Sequence, residues 1–191
     1  METDGTLIER SVRGRPDAFV EVVRRHELAV HGFLARRAGR QVADDLLGEV
    51  WTRAFAGRDG FDPGRHQDAR PWLYGIARNV LRAHWRGRTA EQTAAMQAGQ
   101  AGQAGQAEQA TDPWDDIIDR LDSAAQARTL TGALRALPPG EREVLLLVAW
   151  EQLTPAQAAA VLGIPPGTAR SRLHRARAAL RPVLTRAGEN P

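Results

Sequence analysis

The sequence lacks cysteine and lysine altogether. Without cysteine the chain can form no disulfide bond, no thiolate zinc site and no cysteine nucleophile, and it suits a reducing compartment. Without lysine, all 26 basic side chains are arginine. Arginine is well adapted to contacts with phosphate groups and base edges, although a GC-rich coding sequence produces the same bias.

Long apolar runs are also missing, since none approaches the roughly 20 residues that a membrane span needs. The first residues, METDGTLIERSVRGRPD, lack the apolar core of a signal peptide. We therefore expect no membrane association and a location in the cytoplasm. No segment alternates apolar and polar residues as a half-buried strand does, and 42% hydrophobic residues suffice for a core. These features together predict an all-α fold.

Signals of enzymatic chemistry are absent as well. The five histidines are scattered, with neither HExxH nor GxSxG, and there is no glycine-rich loop that would hold a phosphate. Asp115, Asp116 and Asp119 are the one candidate metal cluster, but the low-complexity segment beside them argues against it. We expect no catalysis and neither a metal nor a cofactor.

The charges fall into three blocks, although the net charge is only +3. Residues 1–90 carry 16 arginines against 12 acids, residues 91–123 carry 1 against 7, and residues 124–191 carry 9 against 4. The acidic middle block includes AAMQAGQAGQAGQAEQA, which is too poor in apolar side chains to bury a core. This composition predicts two small domains, 1–88 and 123–191, joined by a flexible linker over 89–122.

Apolar residues recur at helical spacing in both domains. In the first domain they predict helices over 17–37, 42–56 and 71–86, and Gly39 is the expected end of the first of these. In the second domain the predicted helices are 123–136, 139–151, 154–162 and 167–186. Each domain is therefore expected to be a small helical bundle.

The last two predicted helices form the sharpest motif in the sequence. Thr154 is a good N-cap, Pro155 suits the first helical position, and Gly163 supplies a turn. A short helix, a glycine turn and an arginine-rich second helix make the layout of a helix-turn-helix that reads the major groove of DNA. Four side chains of the second helix are expected on its exposed face: Arg170, Ser171, His174 and Arg175. The alternative is that its arginines only form a solvated helix face.

The second predicted helix carries an acidic ridge. Asp45 and Glu49 lie one turn apart, opposite an apolar face. This ridge is either an ordinary solvated surface or a docking strip for a basic helical partner.

The third predicted helix carries a basic row, Arg78, Arg82 and Arg86, with Trp72 and Trp85 nearby. Aromatic rings interleaved with arginine suit single-stranded DNA, because they offer stacking faces and phosphate partners together. For each tryptophan taken alone, a place in the core is the simpler interpretation. The row of arginines is harder to explain by packing.

Taken together, these blocks resemble the extracytoplasmic-function (ECF) subfamily of sigma-70-type RNA polymerase sigma factors. The similarity to sigma region 2 lies in DAFVEVVRRHELAVHGFLARRAG, VADDLLGEVWTRAF, FDP and RPWLYGIARNVLRAHWR. The similarity to sigma region 4 lies in LRALPPGEREVLLLVAWEQLTPAQAAAVLGIPPGTARSRLHRARAALR. The chain departs from the family pattern at Gly48, where glutamine is usual, and at Ala169, where valine is usual.

The resemblance implies roles for individual residues. The helix matching VADDLLGEVWTRAF is expected to bind the clamp helices of the polymerase β′ subunit through Asp45, Glu49 and Trp51. Residues expected to melt the −10 element and capture a flipped base are Phe61, Asp62, Trp72, Arg78 and Asn79, with Arg82 beside them. Residues expected to read the −35 element are Arg170, Ser171, Arg172, His174 and Arg175.

The implied function is that of a sigma factor, which binds core polymerase and directs promoter-specific initiation. Its implied partners are the β′ clamp helices, the β flap and promoter DNA. Family members are often held by an anti-sigma factor, and nothing in these residues identifies such a partner, the promoter sequence or the inducing signal. The alternative is an autonomous helix-turn-helix regulator, which accounts for the second domain alone and predicts a dimer on palindromic DNA.

The linker length bears on this choice. A coil of about 30 residues spans roughly 30 Å, whereas two elements one and a half DNA turns apart are separated by roughly 50 Å. We therefore expect the polymerase to hold the two domains apart, and the free protein to bind promoter DNA poorly.

Overall fold

A computed structural model describes residues 2–64, 67–99 and 125–188 of the chain. Within these ranges the chain forms eight α-helices and one short 3-10 turn, and no strand. The all-α prediction is confirmed. None of the helices in the described ranges is long and apolar enough to cross a lipid bilayer.

The N-terminal unit contains four helices. They are α1 (Asp4–Val12), α2 (Ala18–Ala38), α3 (Arg40–Ala56) and α4 (Arg70–Gly99), with a 3-10 turn at Arg58–Gly60 between the last two. Gly39 separates α2 from α3 with a φ of 84°, a backbone angle that glycine adopts without strain. The predicted end of α2 at this glycine is confirmed.

The first helix has no counterpart in the sequence-based prediction. Thr3 caps it, because its hydroxyl accepts a hydrogen bond from the backbone N–H of Thr6. Its apolar face is short, with Leu7 and Ile8 as the buried apolar residues of any size. Two residues are too few to establish a helical period.

The fourth helix is longer than expected, since it continues to Gly99 rather than ending near residue 86. Residues 87–99 include four alanines, two glutamines and one glutamate, which favour helix although they bring little apolar bulk to a core. The expected boundary at residue 88 therefore falls inside α4. The rest of the expected linker, residues 100–122, lies outside the described residues.

The C-terminal unit contains the other four helices. They are α5 (Ala125–Ala136), α6 (Pro139–Ala149), α7 (Pro155–Leu162) and α8 (Pro166–Gly188). Thr154 and Gln157 form a reciprocal capping box at the start of α7, and Gly163 ends that helix in the left-handed conformation with a φ of 67°. The predicted cap and turn of the helix-turn-helix are confirmed.

The two units pack against each other, which no sequence pattern indicated. The N-terminal core is built on buried residues such as Phe33, Leu34 and Leu73. Leu147 and Leu153 of the C-terminal unit belong to this same apolar cluster. The sequence predicted two helical domains, and in the structure α7 of the second contacts α4 of the first.

Candidate nucleic-acid interface

The first turns of α8 present a polar face. Ala169, Leu173 and Ala176 are buried on the inner side of the helix, at most 5% exposed. The predicted contact residues on the outer side are exposed: Arg170, Ser171, His174 and Arg175. The helical spacing therefore assigned the two faces correctly, and the outer face is open to a ligand.

Two arginines of α8 also contact α6. Arg175 donates from Nε to Glu141 at 2.6 Å and from Nη1 to the Ser171 hydroxyl at 2.7 Å, so its guanidinium is oriented before any DNA is bound. Arg172 is half-buried, and its guanidinium lies over Gly140, where a Cβ would come within 2.9 Å of Nη1. Of the residues implied for −35 reading, Arg172 is the least accessible.

The exposed side of α4 carries part of the predicted −10 set. Asn79 and Arg82 are exposed. Arg78 is different, because its side chain is only 18% exposed and it forms two hydrogen bonds with Glu143 of α6, at 2.6 and 3.3 Å. The basic row of α4 thus begins under the C-terminal unit and continues into solvent.

The aromatic pair before and within α4 lies against the core. Phe61 is 7% exposed and its ring meets that of Trp72 edge-on, with the centroids 5.2 Å apart. Trp72 is half-buried and, like Trp85, packs against the core cluster. This burial favours a supporting role for Phe61. Asp62 is exposed, and its carboxylate accepts a hydrogen bond from the backbone N–H of Gly64.

A buried carboxylate fixes the start of α4. Asp4 accepts hydrogen bonds from the backbone N–H of Ala69 at 3.0 Å and from Arg25 at 3.2 Å, and it lies 2.7 Å from Nε2 of His26. Burial alone would raise the pKa of Asp4, but these hydrogen bonds and the nearby His26 lower it to about 2. Sequence reasoning missed Asp4, because its partner Ala69, just before α4, lies 65 residues away.

The acidic ridge of α3 is a separate surface. Asp45 and Glu49 are exposed, and Glu49 pairs with Arg53 at 2.6 Å one turn further along. Trp51 does not share this face, because its ring packs edge-on against Phe19 of α2, with the centroids 6.4 Å apart. The structure therefore brings together two of the three residues expected to bind the polymerase.

Buried charges link the two units. Glu151, which follows α6, accepts hydrogen bonds from Arg36 at 2.5 Å and from Arg37 at 3.1 Å. Burial lowers the pKa of Arg37 to about 10, although the charge and hydrogen bond of Glu151 oppose the shift. Burial, together with the Glu151 charge, also raises the pKa of Tyr74 to about 12. No sequence signal pointed to this network.

In the part of the chain that the structure describes, no three acidic or histidine side chains come together as possible metal ligands. Asp115, Asp116 and Asp119 lie outside the described residues. The exposed arginines of α8 and α4 are of the type that binds phosphate and base edges. The exposed acids of α3 are of the type that binds a basic protein surface.

Comparison with known proteins gives matches over both units. The family model for Sigma-70 region 2 matches residues 22–91, and that for Sigma-70, region 4 matches residues 127–180. The RNA polymerase sigma factor CarQ of Myxococcus xanthus is 33% identical over 178 residues, which cover 93% of this chain and 95% of CarQ. The RNA polymerase sigma-E factor of Streptomyces avermitilis is 33% identical over 171 residues, with 87% and 84% covered.

A solved structure agrees with this similarity. CnrH in complex with the cytosolic domain of CnrY aligns with a TM-score of 0.62 and 26% identity. The alignment covers 95% of this chain and 97% of the CnrH chain.

Proposed function

The chain belongs to the extracytoplasmic-function subfamily of sigma-70-type RNA polymerase sigma factors, and from that premise we propose how its two units divide promoter recognition. As a sigma factor it binds core RNA polymerase and directs promoter-specific initiation. In our proposal the C-terminal unit reads the −35 element as duplex, and the N-terminal unit binds the melted −10 element. The surface of α8 is the observation that carries the proposal.

The −35 role rests on the outer face of α8. Arg170, His174 and Arg175 stand exposed on the first turns of a helix whose opposite face is buried. This is the arrangement in which a recognition helix enters the major groove. Arginine binds guanine bidentately, while arginines that meet phosphate add affinity without sequence information.

The −10 role rests on α4 and the segment before it. Asn79 and Arg82 are exposed for contacts with a displaced strand, and Arg78 extends the same row. Trp72 offers a partly exposed ring for stacking, with Phe61 supporting it from the core. Asp4 holds the backbone from which this surface starts.

The polymerase role rests on two other surfaces. Asp45 and Glu49 form an exposed acidic strip for the β′ clamp helices. The C-terminal unit has an open, mainly apolar groove, in which Leu184 is 55% exposed. Its lining residues are Leu145, Leu180 and Leu184, with Arg177, Arg181 and Thr185. An apolar groove of this kind suits a helical partner, and we assign it to the β flap.

Promoter binding requires the two units to separate in this account. The C-terminal unit covers Arg78 in the closed structure, and the two promoter elements are roughly 50 Å apart on DNA. Core polymerase supplies the separation by holding each unit on its own site. Free protein then binds promoter DNA poorly, and the polymerase complex binds it tightly because two contacts act together.

The remaining features follow from the same assignment. We propose that the protein acts in the cytoplasm, catalyses no reaction and needs no cofactor. The structure similar to it, CnrH, was solved with the cytosolic domain of CnrY. By analogy, an anti-sigma protein is a candidate partner for this chain.

A gel-shift assay with promoter fragments, with and without core polymerase, tests the proposal. We expect a shifted complex only when both proteins are present. The competing function is an autonomous helix-turn-helix regulator. Tight binding to a palindromic duplex by the protein alone, with no effect of polymerase, would establish that function instead.

A further inference from the structure

We propose that the DNA surface of α4 extends beyond the −10 element: Arg86, at the end of the basic row, binds the phosphate backbone of the duplex between the −10 and −35 elements. The partner is double-stranded DNA held through its backbone, so the contact adds affinity whatever the base sequence there. The inference rests on the function proposed above, because that function places the melted −10 strand near the start of α4.

The arginines of α4 differ in the partners that they have. Arg70 and Arg78, in the first part of the helix, each pair with an acidic side chain, at 2.8 and 2.6 Å. Arg82 and Arg86 are exposed, and neither forms an ion pair with any residue of the described ranges 2–64, 67–99 and 125–188. Exposed guanidinium groups of this kind are suited to an anionic ligand such as phosphate.

The two exposed arginines share one face of the helix. Arg82 and Arg86 are four residues apart, and Glu91, the one acidic residue in the sequence of α4, lies about 140° around the helix from Arg86. Thr89 and Thr93 continue the face. Both are exposed, and their hydroxyls donate to carbonyls one turn back. Since these two side chains are small and uncharged, a DNA backbone can approach this part of α4 closely.

The course of the chain indicates which DNA this face meets. After Gly99 the chain leads to α5, which starts at Ala125 in the unit assigned to the −35 element. A coil of about 25 residues spans roughly 30 Å, which is less than the roughly 50 Å between the two elements. Residues 87–99 of α4 carry the chain about 20 Å further. The distance is therefore bridged most easily when the end of α4 points toward the −35 element.

Position along α4 then separates melted from duplex DNA. Trp72 and Asn79, which are assigned to the melted strand, lie in the first part of the helix. Arg86 lies about 10 Å further along the axis than Asn79, a distance that corresponds to about three base pairs of duplex. We therefore expect Arg86 to meet the backbone on the −35 side of the melted strand, and not the strand itself.

Two DNA probes distinguish these ligands. Both come from a promoter mapped by transcription with core polymerase. One probe is the single non-template −10 strand, and the other is the same strand joined to about six base pairs of duplex on its −35 side, roughly 20 Å. Because the duplex stops short of the −35 element, the reading of that element contributes to neither probe. Fluorescence anisotropy measures binding to the complex of the full chain with core polymerase, at several salt concentrations.

Variants at position 86 should affect one probe only. We expect Arg86→Ala to bind the duplex-bearing probe several-fold more weakly, with a salt slope smaller by about 1, and to bind the single strand as wild type does. Arg86→Lys should recover most of the loss, because a phosphate contact needs the charge more than the guanidinium geometry.

Arg88→Ala is the matched control. Arg88 is an exposed arginine of the same helix, but it lies about 200° around the axis from Arg86, and its guanidinium lies 5.4 Å from the centre of the Trp85 ring. This variant loses the same charge from a different side of α4, so it should bind both probes as wild type does.

Uncharged methylphosphonate groups, placed one at a time in the duplex, locate the contact. At one position we expect the replacement to weaken wild-type binding several-fold and to leave Arg86→Ala binding unchanged, because the arginine that meets this phosphate is already absent from the variant. Methylphosphonates that weaken wild type and Arg86→Ala equally at every position would contradict the contact.

Three other results would overturn the proposal. They are wild-type binding of the duplex-bearing probe by folded Arg86→Ala, an equal loss with both probes, which would assign Arg86 to the single strand, and an equal loss in Arg88→Ala, which would reflect net charge alone. Should Arg86→Ala fail to fold, as judged by circular dichroism, Arg86→Gln replaces it in each comparison. A failure of the proposed sigma function appears separately, as wild-type protein that gives no promoter-specific transcript with core polymerase.

Discussion

Asp4 shows how one side chain can organise a distant functional segment. It joins α1 to α2 through His26 and Arg25, and to the start of α4 through the N–H of Ala69. Its position in the sequence gives no hint of this role, because an acidic residue in the first turn of a helix is common. Only the fold brings its partners together.

Replacing Asp4 with asparagine should remove an acid-sensitive part of the stability. The folded pKa of about 2 is below the usual 3.8, so the carboxylate stabilises the fold fully above pH about 4, and this contribution is lost as pH falls toward 2. The shift corresponds to about 2 kcal/mol at neutral pH. Urea denaturation at several pH values measures it. Asp59→Asn, at an exposed site, should leave the pH profile as in wild type, and an Asp4→Asn profile parallel to wild type would contradict the assignment.

Replacing Arg175 with alanine should weaken −35 recognition. Glu141 and Ser171 hold its guanidinium on the exposed face of α8, so it is oriented for a base or a phosphate before binding. If it reads a base, the variant loses about 1–3 kcal/mol of affinity and its preference at one position. If it contacts phosphate, affinity falls evenly across sequences and the salt dependence becomes shallower.

The measurement is binding of the polymerase complex to a promoter and its single-base −35 variants. Arg24→Ala, an exposed arginine of α2 on none of the surfaces assigned to DNA or polymerase, is the matched control. Equal binding by Arg175→Ala and wild type at every salt concentration would show that Arg175 does not contact DNA.

The sequence predicted the positions of residues whose contacts lie within one helix. It did not predict those of residues whose contacts join distant parts of the chain. The outward positions of α8 follow from helical spacing within one element, and they were predicted correctly. The burial of Phe61 and the position of Trp51 away from the acidic ridge depend on packing between elements. Glu151 has partners 114 and 115 residues away, so no local pattern indicates its role.

The helix-turn-helix is the element that the sequence specifies best. Each residue that bounds α7 has a conformational preference that matches its position. Thr154 caps the start, Pro155 takes the first helical position, and Gly163 ends the helix. The long α4 is the opposite case. Its last residues are rich in alanine and have little apolar bulk, and a composition that predicts a linker is equally compatible with a continued helix.

Replacing Thr154 with alanine should destabilise the C-terminal unit. The change removes the hydroxyl that accepts from the N–H of Gln157, and losing such a cap costs about 1 kcal/mol. Chemical denaturation followed by circular dichroism measures the loss. Thr52→Ala is the control, because the Thr52 hydroxyl bonds only within its own helix, to the carbonyl of Gly48. Equal losses in the two variants would show that the capping box adds nothing.

The packing of the two units against each other is the feature of the whole molecule that the sequence predicted least well. Composition predicted two helical units of the right class and in the right order. It did not predict that they share an apolar cluster or that Glu143 and Glu151 reach across to the N-terminal unit. Such contacts join residues that are distant in sequence, and each looks locally like an ordinary core or surface position.

The closed form and the promoter-bound form use the same residues differently. Arg78 pairs with Glu143 when the units are together and is assigned to DNA when they are apart. A chain built in this way reads a promoter only when a larger assembly holds its units apart. The central claim is therefore that both promoter surfaces act together, on core polymerase and not on the free protein.

Transcription in vitro tests this claim most directly. Purified protein is combined with core polymerase that lacks any specificity subunit, on a library of genomic fragments, and the start sites are mapped. The account predicts transcripts whose start sites share two elements, at −10 and −35, with a nearly constant spacing. Start sites no different from those of core polymerase alone, or a protein that never joins the polymerase, would contradict it.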